Sequence, residues 1–267
     1  MTDNLKVGVV GGTGQLGSAI ATAWLSSGEV APQDLWISNR SGTAAGFEAW
    51  PSVNVTASNQ DLADHCDVIL LSVPPALAGT IGVSAPGKLV ISVMAGICLQ
   101  TLGDLTGSRK TVRAMSSPAA RWRLAYSPWV AVPGLEPRDR TIVEMLFATC
   151  GSTDEVSDEH QIEVFTAITG PVPGFAAYFA DCMVQYAVAG GVDPKIASKA
   201  VKQLLLASGE VMSDSQLPPA AYVQEMIDYG GTTAAGLLKL QDLGVDRLIA
   251  EGLDSCVERV RTIAGAD

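Results

Sequence analysis

The sequence predicts an α/β fold: a mostly parallel, doubly wound sheet followed by an all-helical segment. Three observations carry that expectation. Short β-branched apolar runs alternate with helix-like stretches up to about residue 155. A glycine cluster separates the first run from the first helical stretch. Beyond Asp158 the strand signals stop, and Gly or Pro punctuates one helical pattern after another.

Lys6–Val10 opens the sheet, and Leu16–Ser26 follows at helical spacing. Leu35–Ser38 reads as the second strand, Asn54–Ala57 as a weaker third and Val68–Val73 as a strong fourth. Leu89–Val93, Thr111–Met115 and Trp129–Val132 complete it. Arg138–Cys150 is expected as an amphipathic helix, with Ile142, Met145, Leu146 and Thr149 near one face. Helices are then expected over Gln161–Thr169, Phe175–Ala189, Pro194–Ser213, Ala220–Ile227 and Thr232–Ala264. The boundary falls between residues 1–157 and 158–267, with the acidic stretch Asp154–Glu163 as a solvated connection. Small residues dominate Ala176–Gly191, which suits close helix packing at a subunit interface.

The chain has 267 residues, with 28 acidic against 17 basic side chains and a net charge of −11. That balance argues against nucleic-acid and anionic-membrane partners, which need basic patches. Val68–Gly87 is uncharged, but Pro74, Gly79, Pro75 and Pro86 interrupt it, so it reads as a buried strand and its continuation. No secretory leader pattern opens the sequence. Cys66, Cys98, Cys150, Cys182 and Cys256 are scattered without a C-x-x-C pair, and His65 and His160 are the only histidines. No metal site is expected, and a reducing cytoplasm is.

Gly12, Gly14 and Gly17 form G-x-G-x-x-G between strand and helix. Glycines there permit a tight turn and close approach to a pyrophosphate, and the helix start supplies free N–H groups. Gly11, Gly12, Thr13, Gly14, Gln15 and Leu16 are therefore expected to cradle a dinucleotide. NAD-binding proteins usually place a carboxylate at the end of the second strand. This chain has Ser38-Asn39-Arg40, which suits a 2′-phosphate and points to NADPH. Gly11, Gly14 and Gly17 also fit the G-x-x-G-x-x-G of atypical short-chain dehydrogenases. None of the five tyrosines has the lysine four residues later that their chemistry needs.

Asp228-Tyr229-Gly230-Gly231-Thr232-Thr233 precedes a helix-like run, and such a turn can hold a carboxylate or simply cap a helix. Here the chain resembles the pyrroline-5-carboxylate reductases, which reduce a cyclic imino acid with NAD(P)H. The glycine loop, Ser38-Asn39-Arg40, Ser92–Ile97, Val112–Met115, Thr166–Gly170 and Gly230–Thr233 with Gly236 carry the resemblance. It implies a Rossmann domain followed by a helical dimerisation domain, in a homodimer or higher homo-oligomer. It further implies that Gly230, Gly231, Thr232 and Thr233 hold the substrate carboxylate, with Thr233 near the imine nitrogen as the catalytic residue. Ser72, Val73, Pro74, Ser92, Ala95 and Gly96 would line the cofactor.

Several motifs depart from the family pattern. Val73-Pro74-Pro75 replaces Val-Lys-Pro, and Met115-Ser116-Ser117-Pro118-Ala119 is one residue shorter than Met-Pro-Asn-Thr-Pro-Ala. Arg121-Trp122-Arg123-Leu124 replaces a small, glycine-rich stretch, and Asp228-Tyr229 replaces Ser-Pro. Thr169–Phe175 replaces Ser-Gly-Ser-Gly-Pro-Ala-Tyr. The expected reaction is reduction of pyrroline-5-carboxylate to proline, or of a related imino acid. A deazaflavin-dependent or atypical short-chain NADP oxidoreductase and a non-catalytic NADP(H) sensor remain the alternatives.

Overall fold

The computed structural model describes residues 5–213 and 215–264; residues 1–4, 214 and 265–267, which include the start of the first expected domain and the end of the second, lie outside that description. The strands are β1 Val7–Val10, β2 Leu35–Ser38, β3 Asn54–Thr56, β4 Val68–Leu71, β5 Leu89–Ser92, β6 Lys110–Ala114, β7 Ala125–Ala131 and β8 Gly151–Glu155. They form one sheet in the order β3-β2-β1-β4-β5-β6-β7-β8. Every neighbouring pair is parallel except β6 and β7.

Every residue of β1, β4 and β5 is buried, which is why each reads as an unbroken apolar run. Alternate side chains feed two cores. Val7, Val9, Leu70, Ile91 and Val112 pack under helices α1 (Gln15–Ser27) and α4 (Pro137–Ala148). Val10, Ile69, Leu71 and Val90 pack under α2 (Asn59–His65) and α3 (Leu99–Thr106). Trp24 ties α1 to α4, its indole N–H donating to the Leu146 carbonyl at 2.9 Å. Helix α5 (Glu159–Ile168) packs on β6 and β7.

Two expectations are corrected here. Asp154 and Glu155 are not connection but the end of the edge strand β8, and Asp158 caps α5 through the Gln161 N–H. β8 is Gly-Ser-Thr-Asp-Glu, a polar run that carries no apolar alternation because it lies at the sheet edge. The single helix expected over Thr232–Ala264 is two, α9 (Thr232–Asp242) and α10 (Val245–Ala264), broken where Gly244 adopts φ 70°.

The chain divides into two compact units. The first reaches to Pro171 and takes back the chain from Asp254; the second is Val172–Leu253. By packing, α5 therefore goes with the sheet, although the helical composition begins before it. The second unit holds α6 (Gly174–Ala189), α7 (Pro194–Ser213), α8 (Pro219–Tyr229), α9 and the start of α10. It buries little of its own apolar surface. Helix α6 has no buried residue, and Tyr178, Tyr186, Ile196, Leu206, Val211 and Leu248 are all exposed. Among the described residues no helix is long and apolar enough to cross a membrane.

Candidate active site

The glycine loop is built at the C-terminal end of β1. The Gly11 and Gly12 N–H groups both donate to the Ser38 carbonyl, at 3.0 and 3.2 Å, and Gly14 N–H turns back to the Gly11 carbonyl at 2.9 Å. Gly11 takes φ 78°, and a Cβ there would stand 2.5 Å from the Ser72 carbonyl oxygen. A Cβ at Gly17 would stand 2.7 Å from the Gly11 carbonyl oxygen, so helix and loop could not close as they do. Gly14 caps α1 with no side-chain hydrogen bond and no carboxylate in the first turn. The Gln15 and Leu16 amides thus remain available at a positive helix end, beside exposed Thr13 and Gly14. This cradle offers the free amides and positive helix end that a dinucleotide pyrophosphate requires.

At the end of β2 the three nominated residues separate by role. Ser38 is fully buried and its hydroxyl donates to Asn59 Oδ1 at 2.7 Å; Asn59 in turn donates to the Ile81 carbonyl at 2.7 Å. Asn39 builds its own turn, accepting from the Ser41 N–H at 3.1 Å and hydroxyl at 2.8 Å and donating to the Thr43 carbonyl at 2.8 Å. Arg40 is exposed, and among the described residues no carboxylate pairs with it. Of the three, it alone offers an uncommitted charged side chain for a 2′-phosphate.

Ser72, Val73 and Pro74 leave β4 at the same C-terminal end of the parallel strands, the Ser72 N–H donating to the Val10 carbonyl at 3.0 Å. At the end of β5, Ser92 is buried and its hydroxyl accepts from the Met94 N–H at 3.1 Å; half-buried Ala95 and Gly96 (φ 76°) follow. After β6, the Ser116 and Ser127 hydroxyls lie 2.8 Å apart, while the Ser117 hydroxyl is buried with no protein partner. Trp122 is 69% exposed, on a turn where Arg123 adopts φ 60°.

In the second unit, Gly230 ends α8 in the left-handed region (φ 73°) and Gly231 caps α9 without a side-chain bond. Thr232 and Thr233 are exposed in the first turn of α9, with no carboxylate beside them in that turn. The Tyr229 ring packs against Gly231, where a Cβ would meet it at 3.2 Å. Among the described residues no group of three or more His, Cys, Asp or Glu side chains could hold a metal ion, and all five cysteines are free thiols. Sequence reasoning missed Asn59, whose only signal was its place in the first turn after the Ser58 cap.

Residues 159–263 match the family model for pyrroline-5-carboxylate reductase dimerisation, and residues 6–96 match that for coenzyme F420-dependent NADP oxidoreductases. A pyrroline-5-carboxylate reductase of Synechocystis is 25% identical over 261 residues, covering 96% of this chain and 97% of its own. Pyrroline-5-carboxylate reductase 2 of Bacillus subtilis is 27% identical over 261 residues, 95% and 93% of the two chains. The chain is thus similar to pyrroline-5-carboxylate reductases along nearly its whole length. Its fold is shared with the Coxiella burnetii pyrroline-5-carboxylate reductase (TM-score 0.87, 22% identity, 98% and 99% coverage). The Plasmodium falciparum pyrroline carboxylate reductase, solved with NADP bound, aligns with a TM-score of 0.81 at 24% identity, over 98% of both chains. A reductive aminase of Aspergillus terreus, in complex with NADPH and ethyl levulinate, is a more distant match (TM-score 0.57, 16% identity, 97% and 100% coverage).

Proposed function

We propose that this chain is a member of the pyrroline-5-carboxylate reductase family and uses NADPH to reduce the C=N bond of a cyclic imino acid, pyrroline-5-carboxylate to proline. One observation supports this most directly. The same chain carries two helix starts with free amides and no carboxylate, one flanked by the uncommitted Arg40 and the other by paired threonines. The first suits a dinucleotide carrying a 2′-phosphate, and the second suits a small carboxylate.

NADPH supplies a hydride. In this reading Gly11, Gly12, Thr13, Gly14, Gln15 and Leu16 hold the pyrophosphate, and Arg40 holds the 2′-phosphate. Ser38 and Asn39 shape the turn that presents Arg40. Ser72, Val73, Pro74, Ala95 and Gly96 line the cofactor toward its nicotinamide. Gly230, Gly231, Thr232 and Thr233 anchor the substrate carboxylate, and the Thr233 hydroxyl lies near the ring nitrogen. A protonated imine already carries positive charge, so its carbon accepts hydride and the C=N π pair ends on nitrogen as the amine lone pair. No metal or alkoxide-protonating acid is required, and the protein's work is orientation.

Residues 1–157 then serve the cofactor, and residues 158–267 serve assembly and substrate. The uncovered apolar helices of Val172–Leu253 favour a homodimer or higher homo-oligomer, because a second copy would cover what one chain leaves exposed. Five free thiols fit a reducing cytoplasm. The deciding experiment follows NADPH oxidation with pyrroline-5-carboxylate, with NADH in parallel. Turnover that prefers NADPH is expected. NADPH binding without turnover of this or any other cyclic imine would overturn the reading and favour a sensor.

A further inference from the structure

Arg113 is an arginine inside a sheet. It sits on β6, opposite Ser92 of β5, and is only 3% exposed. Its Nη1 donates to Glu159 Oε1 at 3.2 Å, and its Nε is buried with no protein partner. The same Glu159 oxygen accepts the Leu99 N–H at 2.8 Å. Leu99 is the first residue of α3, so its amide has no partner within the helix. One carboxylate oxygen thus joins the buried arginine of β6, the start of α3 and the start of α5.

The segment between Ser92 and Leu99 contains Ala95 and Gly96. It is pinned at its beginning by the Met94 N–H to the Ser92 hydroxyl and at its end by Leu99 to Glu159. The Met115 side chain continues the contact: it packs with Val130 of β7 and Ile162 of α5, with Ala95 and Leu99 alongside. A buried guanidinium is costly unless its charge is met, so Glu159 is held in place by Arg113, and Leu99 is placed by Glu159.

We infer that Arg113 and Glu159 are positioning residues for the nicotinamide half of the cofactor site. They act through the Leu99 amide on the loop that carries Ala95 and Gly96. The inference rests on the reading that this loop faces the nicotinamide. It leaves the adenine half, built by Gly11–Leu16 and Arg40, outside the network.

NADPH and adenosine 2′,5′-bisphosphate, a probe of the adenine half alone, separate the two halves in equilibrium binding. For Arg113→Met, NADPH should bind about tenfold more weakly while the bisphosphate stays within about twofold, a loss near 1.4 kcal/mol confined to one end of the ligand. Arg113→Lys should recover part of the loss. Glu159→Gln keeps an acceptor for Leu99 but removes the carboxylate hydrogen-bonded to Arg113, and should move the ratio the same way. The double variant should be no worse than Arg113→Met, because both changes cut one connection. Parallel weakening of both ligands, or no change in any variant, would overturn the inference and leave Arg113 a purely structural residue. A wild-type protein that binds neither ligand would instead refute the parent reading.

Discussion

Ser38 and Asn59, 21 residues apart, hydrogen-bond side chain to side chain at 2.7 Å beneath the turn that presents Arg40. Asn59 also donates to the Ile81 carbonyl at 2.7 Å, so the end of β2, the start of α2 and the turn after β4 are joined through one amide. The Ser38 carbonyl holds the glycine loop from the other side through Gly11 and Gly12. Ser38 thus serves cofactor binding by fixing the geometry of the loop and turn around it.

Cofactor preference should therefore follow Arg40 and not Ser38. Arg40→Ala removes a charge-assisted contact and is expected to weaken NADPH binding about tenfold to a hundredfold, leaving NADH unchanged. Ser38→Ala should keep the NADPH to NADH ratio and instead cost about 1 kcal/mol of stability, since Asn59 Oδ1 loses its donor. Titration of both variants with both cofactors checks this. An unchanged ratio in Arg40→Ala would remove that residue from the 2′-phosphate site.

What could be read from the sequence was local. The apolar runs of β1, β4 and β5 announce buried parallel strands, and the Gly11–Gly17 loop announces its helix, because each signal lies within a dozen residues. The helical second segment and the Gly230–Thr233 turn were equally visible. The edge strand β8 was not, because its Ser-Thr-Asp-Glu sequence carries no alternating apolar pattern. The break between α9 and α10 was not visible either, because Gly244 lies inside one continuous helical pattern and only its left-handed φ separates the two. Roles that depend on distant partners were also hidden. Ser38 looked like a ligand contact without Asn59 in view, and Arg113 looked like part of a motif without Glu159, 46 residues on.

The Thr233 hydroxyl is exposed in the first turn of α9, and in the proposed mechanism it is the only side-chain group near the ring nitrogen. Thr233→Ala retains the backbone N–H, so carboxylate binding is only partly lost. An approximately tenfold fall in kcat/KM for pyrroline-5-carboxylate is expected, with NADPH affinity unchanged. Steady-state kinetics beside direct NADPH binding distinguishes the two effects, and a loss of cofactor binding would contradict the assignment.

Gly151 has a purely structural demand. It begins β8 at φ 143°, where an added Cβ would lie 2.1 Å from the Ala125 carbonyl oxygen and 2.8 Å from the Ala125 nitrogen. Both contacts are with backbone paired in the sheet, so neither can step aside cheaply. Gly151→Ala should destabilise the protein by about 2 kcal/mol or more through backbone strain and separation of β7 from β8. Chemical denaturation would measure this, and NADPH affinity of the folded protein should stay as it was. Wild-type stability in this variant would mean that β8 pairs in another register.

The contact of Glu163 with the last turns of α10 makes a prediction with a definite sign in pH. Burial pushes the Glu163 carboxyl up, but hydrogen bonds from Arg261 and His160, aided by the Arg113 charge, outweigh it and hold the group below its ordinary value of 4.5. Arg261 Nε lies 3.0 Å from Glu163 Oε2. A carboxyl whose folded value is depressed stabilises the fold above its unfolded value, and loses that contribution as pH falls through the lower folded value. Arg261→Gln should therefore be less stable than wild type near neutral pH by under about 1 kcal/mol, because the arginine is half exposed and solvent screens it. The gap should close as acidification protonates Glu163 in both proteins. Urea unfolding of the pair from neutral pH down to about pH 3 tests it. A gap that stays constant across that range would mean Arg261 stabilises the end of α10 by packing alone.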